Sequence, residues 1–140
     1  MRLVATGLNV FNTSAKPEGR VRYLGSPQDV LRLVGSGGSR DFVILARGGT
    51  TTFLAPVLAT GARGILTMSG APESHLGILS REFQIPCIMT LAIEGSERRY
   101  SPGLSDPAYF DHIVSLLDGK LVRMECEDAV TGRVWLLDGE

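Results

Sequence analysis

No stretch of this chain approaches the roughly 18 consecutive apolar residues that a membrane-crossing helix requires. Its opening, Met-Arg-Leu-Val-Ala-Thr-Gly, also lacks the apolar core of a secretory leader. The expectation is a soluble, cytoplasmic protein with no membrane partner. Charge of one sign is missing as well. With 14 basic and 15 acidic residues and a formal charge of -1, the chain offers no electrostatic footprint for nucleic acid. Cysteine is scarce: Cys87 and Cys126 fall in apolar or strand-like runs without metal-ligand spacing. That pattern predicts buried free thiols and no metal site, and it argues against a disulfide framework. What is present is apolar content. At 44% hydrophobic over 140 residues, the chain can bury the core of one compact domain, 1–140, but hardly of two.

Along the chain, residues 1–25 are rich in turns, with short strands expected over 3–5, 8–11 and 19–24. Ser26 as cap and Pro27 as first residue open a helix in which Val30, Leu31 and Val34 form the apolar stripe and Gly35 the stop. Gly35-Ser-Gly-Gly-Ser39 reads as a loop. From there strand and helix alternate. Expected are a fully buried strand over 42–46, a helix over 53–60 closed by Gly61, a strand over 64–68, a helix opening at His75, and a strand over 87–91. Such alternation requires a parallel sheet, and it puts His75 just past the carboxyl end of a strand. Residues 92–118 read as an insertion: a polar loop over 94–106, then a helix from Pro107 carrying Tyr109, Phe110, Ile113, Val114 and Leu117, stopped by Gly119. Strands over 121–126 and 133–137, joined through 128–132, end the chain as a hairpin.

The densest chemistry lies in Gly70-Ala-Pro-Glu-Ser-His-Leu-Gly-Ile-Leu-Ser-Arg-Glu-Phe-Gln-Ile-Pro86. A breaker-rich loop delivers Ser74 and His75 to a segment whose Leu76, Leu79 and Phe83 fall at helical spacing. A helix N-terminus presents unpaired N–H groups and a positive dipole end, which favour a neutral imidazole and an anion such as phosphate. Imidazole is also the side chain whose ordinary pKa lies nearest neutrality, so a nucleophilic fraction is available at working pH.

At these residues the chain resembles the mobile, swivelling domain of phosphoenolpyruvate-utilising enzymes. In that pattern Gly-Gly-x-Thr-Ser-His is followed by an apolar run, Arg-Glu and Gly-Ile-Pro. Gly70, Ser74, His75, Arg81, Glu82, Ile85 and Pro86 match it. Ala71, Glu73 and Gln84 depart from it, standing where the pattern has glycine, threonine and glycine. Asp128 and Gly132 are similar to the turn that closes the domain. The resemblance implies an α/β fold: a swivelling β/β/α domain with a mainly parallel βαβαβ half and a C-terminal β-hairpin.

It further implies that His75 carries a phosphoryl group between partner active sites, as the phosphohistidine component of a phosphotransferase that does not complete a catalytic cycle alone. ATP-grasp nucleotide-binding and acceptor-binding domains or subunits are the partners it implies. ATP or phosphoenolpyruvate, with Mg2+, would be held by those partners; no cofactor is expected on this chain. Ser74 caps the helix or bonds the phosphoryl oxygens, and Gly70 is a further candidate phosphate contact. The loop Arg47-Gly-Gly-Thr-Thr-Thr52 resembles the family's threonine-containing loop. Arg47, Thr51 and Thr52 are there the candidate phosphate contacts, although a plain strand-to-helix turn explains the loop equally. It lacks the spacing of a nucleotide-binding P-loop. Glu73 motivates an alternative. A carboxylate two residues from a phosphorylated imidazole repels the added charge unless it points away or orients the ring. A non-catalytic interaction or regulatory module that retains the fold is the second reading. His112, beside Asp111 in a helix, reads as a structural or surface residue.

Overall fold

The computed structural model describes residues 2–36, 39–47, 54–68, 75–93 and 107–137; the side chains of Ala55, His75, Pro107, Ala108 and Tyr109 lie outside that description. In chain order the strands are β1 (Arg2–Asn9), β2 (Glu18–Tyr23), β3 (Phe42–Ala46), β4 (Gly64–Thr67), β5 (Cys87–Ile93), β6 (Leu121–Glu125) and β7 (Thr131–Leu136). The helices are α1 (Pro27–Gly35), α2 (Ala55–Thr60), α3 (His75–Phe83) and α4 (Pro107–Leu117), with a single 3-10 turn at Ser39–Asp41. The strands close into a barrel in the order β1-β5-β4-β3-β2-β6-β7. Neighbours from β2 through β5 are parallel, while β1, β6 and β7 complete the circuit with antiparallel pairings.

Two cores follow from the period-2 alternation of strand side chains. Val4, Val21, Val43, Leu45, Leu66, Ile88, Val122, Met124 and Val134 point inward and, drawn from all seven strands, fill the barrel. Ile44, Ala46, Ile65, Cys87 and Met89 point outward and meet Val30 and Leu33 of α1, Val57 and Leu58 of α2, and Leu76 of α3. The strands between them are buried on both faces, which is why 42–46 reads as an unbroken apolar run.

The turn-rich N-terminal segment is less irregular than its sequence suggests. The short strands expected over 3–5 and 8–11 are one strand, β1, lying between β5 and β7. Gly7, which reads as a break, pairs with Gly132 across β7. A Cβ on Gly7 would stand 2.6 Å from the Met89 carbonyl oxygen and 2.7 Å from Ile88 Cγ2, and one on Gly132 would also collide with Ile88. The two glycines leave the barrel lumen open for the Ile88 side chain. Opposite Gly7 the ladder shifts, and Thr90 of β5 takes a left-handed φ of 54°. Two residues of β5 there face one of β1, a β-bulge that bends the wall.

α1 opens as its sequence predicts: Ser26 Oγ accepts from Asp29 N at 3.2 Å, and Asp29 Oδ2 accepts from Gly25 N at 3.1 Å. Its buried residues are Val30 and Leu33, whereas Leu31, expected in the apolar stripe, is 66% exposed. Within 92–118 the described residues join the barrel wall and its core. Ala92 and Ile93 belong to β5, and α4 sends Phe110, Ile113 and Leu117 into the barrel core. Asp118 Oδ1 accepts from Tyr23 N at 2.9 Å, and Gly119 N donates to the Val21 carbonyl at 2.8 Å. These contacts tie α4 to the end of the barrel where the parallel strands finish.

Both cysteines are free and buried. Desolvation pushes the Cys87 thiol from 9.0 up to about 12. Burial, reinforced by the nearby Glu125 charge, takes Cys126 to about 12 as well. A neutral thiol is thus favoured in the fold relative to the unfolded chain. The stability it contributes is complete below pH 9 and is lost as pH rises toward 12. We expect both thiols to resist a disulfide-exchange reagent in native protein at pH 8 and to react together on unfolding. Rapid native labelling of either would contradict the burial.

Candidate functional site

β3 and β4 are adjacent and parallel, with Ala46 opposite Thr67, so the segments that follow them leave the same end of the barrel side by side. Met68 N donates to the Ala46 carbonyl at 3.1 Å and holds the two exits together. One exit begins with Arg47 and the other leads to His75, the first residue of α3. The backbone thus brings the Arg47 and His75 segments to one edge, the carboxyl edge of the parallel strands, where parallel α/β sheets and barrels alike place ligands. Gly70, Ser74, Thr51 and Thr52, together with Glu73 and Ala71, lie outside the described residues, as does the His75 ring.

Arg47 is described, and it is engaged. Its Nε donates to Tyr23 Oη at 3.3 Å, its Nη2 stands 3.7 Å from Asp111 Oδ1, and its guanidinium lies 5.3 Å from the Phe110 ring centroid. It therefore bridges the ends of β2 and β3 to α4. The ion pair is exposed on both sides and contributes little to stability by itself, but with the ring contact it fixes where the guanidinium sits. Nothing in the sequence near Arg47 indicates these partners, because Phe110 and Asp111 are more than sixty residues away.

α3 is anchored along its length. Leu76 is 5% exposed in the outer core, Gly77 and Ser80 are buried, and Leu79 packs against the same core. Phe83, expected on the buried face, is 47% exposed. Ser80 Oγ donates to the Gly77 carbonyl at 3.0 Å. Arg81 Nη2 donates to the Val10 carbonyl at 3.0 Å and pins the helix to the segment after β1; Glu82 is exposed. Neither lies where it could be read from spacing as a phosphate ligand, in keeping with their place two helical turns from His75.

The helix ends in a Schellman motif: Ile85 N donates to the Ser80 carbonyl at 3.0 Å and Gln84 N to the Arg81 carbonyl at 3.2 Å. Gln84 sits in the left-handed region at φ 57°, a conformation that costs an ordinary residue about 1–2 kcal/mol. This is the position where the resembling motif carries glycine. Gln84 Nε2 offsets part of the cost by donating to the Arg81 carbonyl at 2.6 Å. Gln84→Gly is expected to stabilise the fold by about 0.5–1 kcal/mol, read as a higher urea midpoint at unchanged slope. A lower midpoint would mean that the side-chain bond outweighs the backbone strain.

On the far side of the barrel, Asn9 is buried, and its Nδ2 donates to the carbonyls of Cys126 at 3.0 Å and Asp128 at 2.6 Å. Asp128 Oδ1 accepts from Val130 N and Thr131 N, which holds its carboxyl below the usual carboxylate range. The Asp128 turn is thus a closing device of the hairpin, spatially separate from the His75 edge. Among the described residues no three His, Cys, Asp or Glu side chains are grouped to hold a metal ion, and no helix is long and apolar enough to cross a membrane.

The chain belongs to the family of PEP-utilising enzyme mobile domains, whose family model matches residues 40–128, from the 3-10 turn before β3 to the Asp128 turn. The matched span includes His75 and both adjoining strand exits. No curated protein matches the chain.

Proposed function

We propose that this protein is a phosphoryl carrier in which His75 accepts a phosphoryl group in one partner's active site and releases it in another's. Family membership over 40–128 supports this reading, and it is the observation that carries it. The place of His75 as first residue of α3, at the carboxyl edge of β4, agrees with it. In the first transfer an unprotonated imidazole nitrogen attacks the phosphorus of ATP or phosphoenolpyruvate. The N–P bond forms as the P–O bond to the nucleotide or enolate breaks. In the second, an acceptor oxygen attacks the same phosphorus, the N–P bond breaks, and the imidazole is regenerated. Unpaired N–H groups at the α3 N-terminus favour the dianionic group between the two steps. Donor, acceptor and Mg2+ sites belong to partner domains or subunits, an ATP-grasp module among them, and the rigid barrel moves between them as a swivelling body.

Incubation with a co-purifying nucleotide-binding partner and either ATP or phosphoenolpyruvate should yield an acid-labile, base-stable phosphoprotein, with the modification mapped to His75. Modification at another residue, or none with either donor, would reject the carrier role. The non-catalytic reading rests on Glu73 and Ala71. It would be preferred if partner binding persists while no phosphohistidine forms.

A further inference from the structure

At the same end of the barrel as the His75 edge, but against a different strand pair, the described residues line a groove. β1 runs antiparallel to β5, and Ala5 pairs with Ile93, the last residue of β5. Residues Arg2, Leu3 and Val4 continue beyond that point, where, among the described residues, β1 pairs with β7 alone. α4 crosses nearby and turns His112 and Leu116, one helical turn apart, toward these residues. The result is an open groove of about 440 Å³ lined by Arg2, Leu3, Val4, Ile93, His112 and Leu116.

Its chemistry is divided. Leu3, Val4, Ile93 and Leu116 supply an apolar floor, with Ile93 and Leu116 packed against the barrel core. The polar groups at the rim are a guanidinium and an imidazole, both exposed. Among the described residues neither the Arg2 nor the His112 side chain has a hydrogen-bond or ion-pair partner, whereas Arg20, Arg32, Arg40, Arg47, Arg81, Arg123 and Arg133 are all engaged. An always-charged guanidinium offers a two-pronged donor to a carboxylate or phosphate, and imidazole offers a ring N–H in either charge state. The volume is at the small end of ligand pockets, which join an apolar lining to a few placed polar groups. Among the described residues the lining holds no carboxylate.

We infer that this groove binds a small amphipathic anion, an apolar body resting on Leu3, Ile93 and Leu116 with its carboxylate or phosphate head between Arg2 and His112. The site is independent of the phosphoryl-transfer chemistry at His75. The test is a titration of the isotopically labelled chain, followed by amide NMR, with benzoate and with phenyl phosphate. Inorganic phosphate and benzyl alcohol serve as probes carrying only the head or only the body. Saturable shifts centred on Leu3, Ile93, His112 and Leu116 are expected for the first two. Benzoate and phenyl phosphate together decide which head the rim prefers. The single-feature probes should bind at least about tenfold more weakly, since a charge-assisted bond is worth more than a factor of ten. Arg2→Glu, a surface change, should weaken benzoate and phenyl phosphate by about tenfold or more, while His75→Ala leaves both unchanged. Absence of saturable shifts, affinity indifferent to Arg2→Glu, or loss of binding in His75→Ala would each overturn the assignment.

Discussion

His75→Ala is expected to abolish acid-labile phosphorylation by a nucleotide-binding partner, bringing incorporation to background. Carbon-bound alanine offers no nucleophile, and no other imidazole can substitute: His112 lies on α4, where it faces the groove beside β1. The change is benign for the fold, because alanine has the highest helix propensity and the anchoring residues of α3 begin at Leu76. Loss of labelling would thus report chemistry, provided the variant unfolds at the wild-type urea midpoint. His112→Ala is the matched control and should label as wild type. Undiminished labelling of His75→Ala would end the carrier proposal and leave the interaction-module reading.

The largest loss of stability is expected from Ile113→Ala. Ile113 is fully buried, and from α4 it joins side chains of all seven strands in the barrel core. Truncation there removes apolar burial and leaves a cavity between a helix and a closed wall that cannot collapse freely. The expected cost is about 2–5 kcal/mol, read from urea unfolding as a lower midpoint at constant slope. Leu31→Ala, at a residue 66% exposed on α1, should change stability by no more than about 0.5 kcal/mol. The comparison separates two views of 92–118. A cost for Ile113→Ala under about 1 kcal/mol would mean that α4 is an appendage; the larger figure makes it the stopper of the barrel.

The helix that begins at His75 was legible before any coordinates. His75 stands out because a breaker-rich loop, a serine just before it and helical spacing occur together in the sequence, and the helix does begin there. Gln84 is legible in the same way. A residue that departs from glycine in the motif turns out to occupy the left-handed position that a Schellman motif requires. The fate of Arg47 was not legible. A cation after a buried strand and before a glycine-threonine loop suggests a phosphate contact, yet its described partners are Tyr23, Phe110 and Asp111, brought to it by a helix far along the chain. Helix faces were read correctly only in part. Leu31 and Phe83 fit an apolar stripe by spacing but are exposed, because each stripe is centred on what the sheet leaves room for.

Local order and chemistry, then, were determined by the sequence itself: the alternation of buried strands with short helices, the capped start of α1, the helix that opens at His75, and the thiols placed within apolar runs. These depend on periodicity and on neighbours within a few residues, which a linear chain displays directly. Closure of the sheet was decided only in three dimensions. β1 had to find both β5 and β7, Gly7 had to meet Gly132 across a lumen sized for Ile88, and α4 had to enter the open end. Each is a pairing between distant segments, selected by the volume that remains once the other strands have packed, and no residue advertises that volume alone.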